Sequence, residues 1–147
     1  MIALDTNILA RYYVLDAADV ESGRQHAQAV KALSGKDRFF VPKTVLLELE
    51  WVLRGFYDQP RDNILRVFDH LMAMPMVRVE DERVVTAAID VYRAGLDFAD
   101  ALHHASAHGC ERFLTFDDRR FARLATRMKL KPNVVLPELQ KRRSALV

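Results

Sequence analysis

The stretch Ile2–Asn7, "IALDTN", sets the reading of the whole chain. A short apolar run, Ile2-Ala3-Leu4, reads as a strand. It stops at an aspartate, Asp5, and apolar residues then resume at helical spacing through about Tyr13. A strand that runs through an acidic residue into a helix is how an α/β unit begins. Asp after a strand is also a good helix N-cap, and that role alone would explain Asp5. Thr6 and Asn7 can cap as well, so the position does not require a charge. The alternatives are a cap and the first member of a site.

Working outward, the same alternation recurs. Residues 17–34 read as a helix with Val20, Ala27, Val30 and Leu33 on one side, closed by Gly35. "RFFVP" at 38–42 is extended, and Pro42 leads into a strongly apolar helix from about Thr44 to Phe56. Residues 60–74 form another amphipathic helix, and "MVRVE" at 76–80 alternates as a strand. Asp81 is placed to cap a helix to about Gly95, and Asp97 to cap the next, ending at Gly109. "RFLTF" at 112–116 is a strand, a helix spans about 118–128, and "VVL" at 134–136 is a last strand. Short strands separated by helices predict an α/β fold: a three-layer α/β/α sandwich around a central, mostly parallel sheet, as one domain over residues 1–147. In such sheets, functional groups gather beyond the carboxyl ends of the strands. Asp5 and Asp117 each follow a strand.

Composition narrows the function. Half of the 147 residues are hydrophobic and 29% are charged, as in an ordinary soluble globular protein. No apolar run approaches the roughly 18 residues of a membrane span, and no secretory leader is visible. Cys110 is the single cysteine, which rules out an intrachain disulfide and fits a cytoplasmic setting. The net charge of +2 is unevenly spread. From Arg119 onward nine Lys/Arg stand against one acid, Glu138, whereas thirteen basic residues stand against nineteen acidic ones before it. Such an asymmetry suits a polyanionic ligand, although from charge alone a solvated basic tail is the simpler reading.

Six further acidic positions stand out. In the helix at 44–56, Val45, Leu49, Val52, Leu53 and Phe56 define the expected buried face, with Glu48 and Glu50 on its opposite flanks. Glu50 has Arg54 at i+4, an ordinary exposed pair. Glu48 has no base at contact spacing, so its partner must come from another segment: a bound cation or an arginine. In "GLDFADALHHASAHG", Asp97 caps and Asp100 lies one turn deeper. In "LTFDDRRFARL", Asp117 follows the strand, and Asp118 is the better placed cap for the next helix. His104 and His108 are four apart, but Ala105 stands where a zincin motif needs Glu, and His103 and His104 are expected on a polar face. Phosphate-loop, dinucleotide and GxSxG signatures are absent.

If Asp5, Glu48, Asp100 and Asp117 converge, each pair about 4 Å apart repels by roughly 4 kcal/mol at an effective dielectric near 20. Oxygen-only donors under that repulsion favour Mg²⁺ or Mn²⁺, which can activate water for attack on phosphorus. Arg119, Arg120, Arg123 and Arg127 follow Asp117 and can hold substrate phosphates.

Taken in order, "IALDTNILARYY", "VPKTVLLELEWVLRG", "GLDFADALHHASAHG" and "LTFDDRRFARL" resemble the PIN-domain family, and within it the VapC-type toxins of bacterial toxin–antitoxin pairs. The resemblance spans nearly the whole chain. It implies a Mg²⁺- or Mn²⁺-dependent endoribonuclease with Asp5, Glu48, Asp100 and Asp117 as catalytic residues, Asp5, Asp100 and Asp117 among them holding metal. Thr6, Asn7, Asp97 and Thr115 become supporting residues. The family often has one Asp before its last helix and this chain has two, so Asp118 stays open beside Asp117. The resemblance further implies a homodimer held inactive by a small antitoxin that lies in a groove near the acidic site. Leu47 and Trp51, outside the main face of the 44–56 helix, are candidates for part of that groove, with buried packing the simpler explanation. Two rivals have other signatures. A haloacid-dehalogenase-type phosphatase needs a second Asp where Asn7 stands. A non-catalytic RNA- or partner-binding domain would use its acids only as caps.

Overall fold

The computed structural model describes residues 1–138, so the basic residues Lys141, Arg142 and Arg143 lie outside the described part. The strands are β1 (Ile2–Ala3), β2 (Phe39–Val41), β3 (Val77–Val79), β4 (Arg112–Leu114) and β5 (Asn133–Val135). The helices are α1 (Thr6–Tyr13), α2 (Val20–Leu33), α3 (Lys43–Trp51), α4 (Arg61–Ala73), α5 (Glu82–Arg93), α6 (Phe98–Ser106) and α7 (Arg123–Arg127). Every strand pairing is parallel, and the α/β class expected above holds. β1, β2 and β3 form one sheet in that order, with Ile2 opposite Phe39 and Phe39 opposite Val77. β4 and β5 form a second, two-stranded sheet with Arg112 opposite Asn133. Parallel strands need crossovers, and helices supply them. No helix among the described residues is long and apolar enough to cross a membrane.

The core is built from apolar stripes of the helices. Leu9, Val41, Leu46, Leu49, Phe68, Leu71, Val85, Tyr92 and Phe98 are fully or almost fully buried. Three expectations about facing are corrected. In α2 the buried residues are Ser22, Ala29 and Leu33, while Val20, Ala27 and Val30 are exposed. Arg11 explains the shift. From α1 it donates to Ser22 Oγ at 3.0 Å and to Gln25 Oε1 at 2.8 Å, so a polar seam, not the valines, faces α1.

In α3 the buried stripe is Leu46, Leu49, Glu50 and Leu53, turned about one residue from the expected face. Glu50 is buried and Glu48 is exposed, the reverse of the sequence expectation. The helix then widens into a π turn at Val52–Phe56, where Tyr57 N–H donates to Val52 O at 3.2 Å. A π turn slips the helical phase, and Phe56 is left 75% exposed.

Asp81 holds the N-cap position of α5, but its side chain makes no capping hydrogen bond. It sits at φ +46° and its carboxylate pairs with Lys43 Nζ at 2.6 Å. Glu80, at the end of β3, instead accepts from Lys43 N–H at 3.0 Å and so serves the start of α3, where Pro42 offers no side-chain acceptor. His104 is also buried, not on a polar face, and hydrogen-bonds Pro132 O through Nε2 at 2.8 Å, tying α6 to the segment before β5.

Candidate acidic site

Asp5 is the N-cap of α1. Its extended backbone (φ −88°, ψ 163°) turns the chain out of β1, and Oδ1 accepts from Thr6 N–H at 2.8 Å. One carboxylate oxygen is therefore fixed by the backbone. Thr6 contributes that amide but not its hydroxyl. Among the described residues its buried Oγ1 has no hydrogen-bond partner, so it does not brace the carboxylate as expected. Asp5, Thr6 and Asn7 line a cavity of about 870 Å³ together with Glu48. Arg11 and Trp51 stand on the same wall.

Asp97 and Asp100 enter from α6. Asp97 Oδ2 accepts from Asp100 N–H at 3.3 Å, the expected cap. Asp117 is the cap of the π-helical turn Asp118–Ala122 that precedes α7: Oδ1 accepts from Arg120 N–H at 3.0 Å. The capping role expected of Asp118 thus belongs to Asp117, and Asp118 is exposed. Thr115 Oγ1 accepts from Asp117 N–H at 3.0 Å, so Thr115 positions that aspartate through its backbone.

Asp97, Asp100 and Asp117 line one cavity of about 340 Å³ with Glu50, Arg54 and Arg120. Burial, and then the charges of Asp97 and Asp117, raise the Asp100 carboxyl above its ordinary pKa, opposed by His103 and Arg120. Desolvation is the larger cause, and the like charges add to it.

The predicted acids therefore gather in two groups. Asp5 and Glu48 share the larger cavity, and Asp100 and Asp117 the smaller. A third opening, of about 400 Å³, has Glu48 and Asp97 on its wall, while Asp5, Asp100 and Asp117 do not line it. Among the described residues no three His, Cys, Asp or Glu side chains stand at metal-ligand spacing. The donor set still suits a hard divalent cation in kind: it is all oxygen, and Asp5, Asp97 and Asp117 each have one oxygen steered by an amide. The four arginines named above are all exposed, and of them Arg120 borders the acids.

Sequence reasoning did not single out Arg61 and Tyr92, which complete the smaller cavity. Arg61 Nη1 donates to Tyr92 O and, at 3.0 Å, to Leu96 O, and its guanidinium lies 4.4 Å from the centroid of the Tyr92 ring. It clamps the turn that delivers Asp97. No short motif marks such a side-chain-to-carbonyl clamp. Arg61→Ala is expected to lower unfolding free energy by about 1–3 kcal/mol, the scale of charged hydrogen bonds removed from a half-buried site, as read from the urea midpoint.

Residues 2–127 match the family model described as PIN domain. No curated protein matches the chain.

Proposed function

The chain belongs to the PIN domain family, whose members are generally metal-dependent nucleases, and from this we propose that it is a Mg²⁺- or Mn²⁺-dependent endoribonuclease acting as the toxin of a toxin–antitoxin pair. Asp5, Glu48, Asp100 and Asp117 are its catalytic residues in this reading, with Asp5, Asp100 and Asp117 as the metal ligands. Asn7, Asp97 and Thr115 support them. The observation that supports it is geometric: Asp97, Asp100 and Asp117 stand on the wall of one cavity. Like charges held together without a compensating function are a standing cost, and a divalent cation removes it. When bound, the metal supplies Lewis acidity for attack by water on a phosphodiester. The chain's own contribution is to aim the carboxylates through caps at α1, α6 and the turn before α7, and to present Arg120 to substrate phosphate.

The larger cavity supports the antitoxin part of the reading. Ile8, Trp51 and Phe56 line it and are exposed, giving an apolar floor beside Asp5 that an antitoxin segment can cover. The homodimer and the cytoplasmic setting belong to the same proposal.

The test is paired. Wild-type protein should cut a labelled RNA in Mg²⁺ or Mn²⁺ and not in EDTA. Mg²⁺ at about 100 times its Kd should raise the melting temperature of the wild type by roughly 5–10 °C, the linkage expected for about 2.7 kcal/mol in a domain of this size. Asp5→Asn should lose most of that rise. An intact RNA in every divalent metal tried, with equal binding in EDTA, would instead establish a non-catalytic RNA-binding domain.

A further inference from the structure

Glu50 occupies a place where a leucine would be unremarkable. Its side chain is 4% exposed, in the middle of the α3 stripe between Leu46 and Leu53. A buried carboxylate adds less stability than a well-packed apolar residue of similar volume, so helix stability does not account for it. What it does is hold Arg54. Arg54 Nε donates to Glu50 Oε1 at 2.9 Å and Nη2 to Oε2 at 3.4 Å, a forked grip. Tyr92 Oη donates to the same Oε1 at 3.4 Å. Burial, chiefly, and the neighbouring Glu50 charge push the Tyr92 phenol up to about 12, so it stays a proton donor.

The other end of the pair is open. Arg54 is 52% exposed, and among the described residues its Nη1 has no protein hydrogen-bond partner. It stands on the walls of both smaller cavities, which between them carry Glu48, Asp97, Asp100 and Asp117. Asp97 also acts on it through space.

We propose that Arg54, tethered by the buried Glu50, is a substrate-phosphate ligand at the lip of the acidic site; this rests on the ribonuclease reading above. A free arginine beside so many carboxylates would fold down onto them. It would then neutralise the groups the reaction uses. Glu50, on the walls of the same cavities, gives the guanidinium a fixed partner through Nε and Nη2 and leaves Nη1 for a ligand. A guanidinium offers phosphate a planar set of donors, which suits it to this role. Arg54 thereby offsets, for an incoming RNA strand, the repulsion of the acidic walls, and Glu50 acts as its positioning residue.

The experiment measures binding of a labelled single-stranded RNA of mixed sequence in EDTA across a salt series, and cleavage in Mg²⁺. Arg54→Gln should weaken binding about threefold or more at low salt. It should also reduce the slope of log K against log salt by about 0.7, the loss of one phosphate contact to a single strand. KM should rise more than kcat falls, and the Mg²⁺-induced melting shift should stay unchanged. Arg54→Lys should recover most of the slope. If Arg54→Gln folds poorly, Glu50→Gln/Arg54→Gln removes both charges together and should show the same lost slope. Unchanged slopes in both variants, with only a lower melting temperature, would make the pair a structural bridge and overturn the proposal. Wild-type protein that neither binds nor cuts RNA would overturn the ribonuclease reading, and this inference with it.

Discussion

Asp100→Asn is expected to lower RNA cleavage in Mg²⁺ by at least about 10²-fold, the scale of removing one stabilising group from an active site. The same change should make the metal-free protein slightly more stable. The sign follows from linkage. The folded state holds the Asp100 proton more tightly than the unfolded chain, because burial and then Asp97 and Asp117 raise its carboxyl above the ordinary 3.8. Stability therefore falls as pH rises through the window from 3.8 to the folded value, and at neutral pH the ionised group carries the whole penalty. Asparagine removes the charge and keeps the shape. The gain is small, about 1–2 °C in melting temperature, because solvent screens a partly exposed carboxylate. It should shrink as the pH is lowered toward 4, where the wild-type group takes up its proton. Mg²⁺ should reverse the order of the two proteins, stabilising the wild type more. A variant that keeps its cleavage rate, or that melts below the wild type in EDTA at pH 7, would remove Asp100 from the site.

That opposition between stability and function also explains what the sequence could and could not reveal. Strand-to-acid junctions were readable because apolar runs and the acids that end them are local, and Asp5, Asp97 and Asp117 all prove to be caps at element boundaries. Choosing between Asp117 and Asp118 as the cap was not local. It turns on where the helical turn starts: Asp117 holds the N-cap position and accepts from the Arg120 amide at the usual three-residue spacing, with Thr115 holding Asp117 from behind. The two glutamates of α3 were misjudged for a related reason. That helix is apolar around most of its girth, so the sequence allows more than one buried stripe. The one adopted depends on Tyr92, which lies 42 residues away and offers its hydroxyl to Glu50. In α2 the valines looked like core, but Arg11 needed the polar partners Ser22 and Gln25 and drew that face inward. Periodicity reports which faces are available; long-range hydrogen bonds decide among them.

Phe98→Ala should be the most destabilising of the changes considered, by about 3–5 kcal/mol, the usual range for emptying a buried aromatic position. Phe98 is fully buried, with its ring centroid 4.9 Å from that of Phe68 and 5.3 Å from that of Tyr92. It joins α4, α5 and α6 at one point, so little of the surrounding structure can collapse into the space left behind. The urea midpoint should fall with the slope of the transition unchanged, since the surface exposed on unfolding barely alters. Phe98→Leu, which refills most of the volume, should be clearly milder. The site should register both changes. Phe98 is the first residue of α6, directly after Asp97 and two before Asp100, and its packing sets where those carboxylates leave the helix. Tyr92, its neighbour in the cluster, also touches Glu50 and is clamped by Arg61. At a temperature where Phe98→Leu is fully folded, its cleavage rate should therefore fall severalfold while its RNA-binding salt slope, set by the arginines, remains that of the wild type. A midpoint that hardly moves in Phe98→Ala would mean that this aromatic cluster is not what holds α6 against the core.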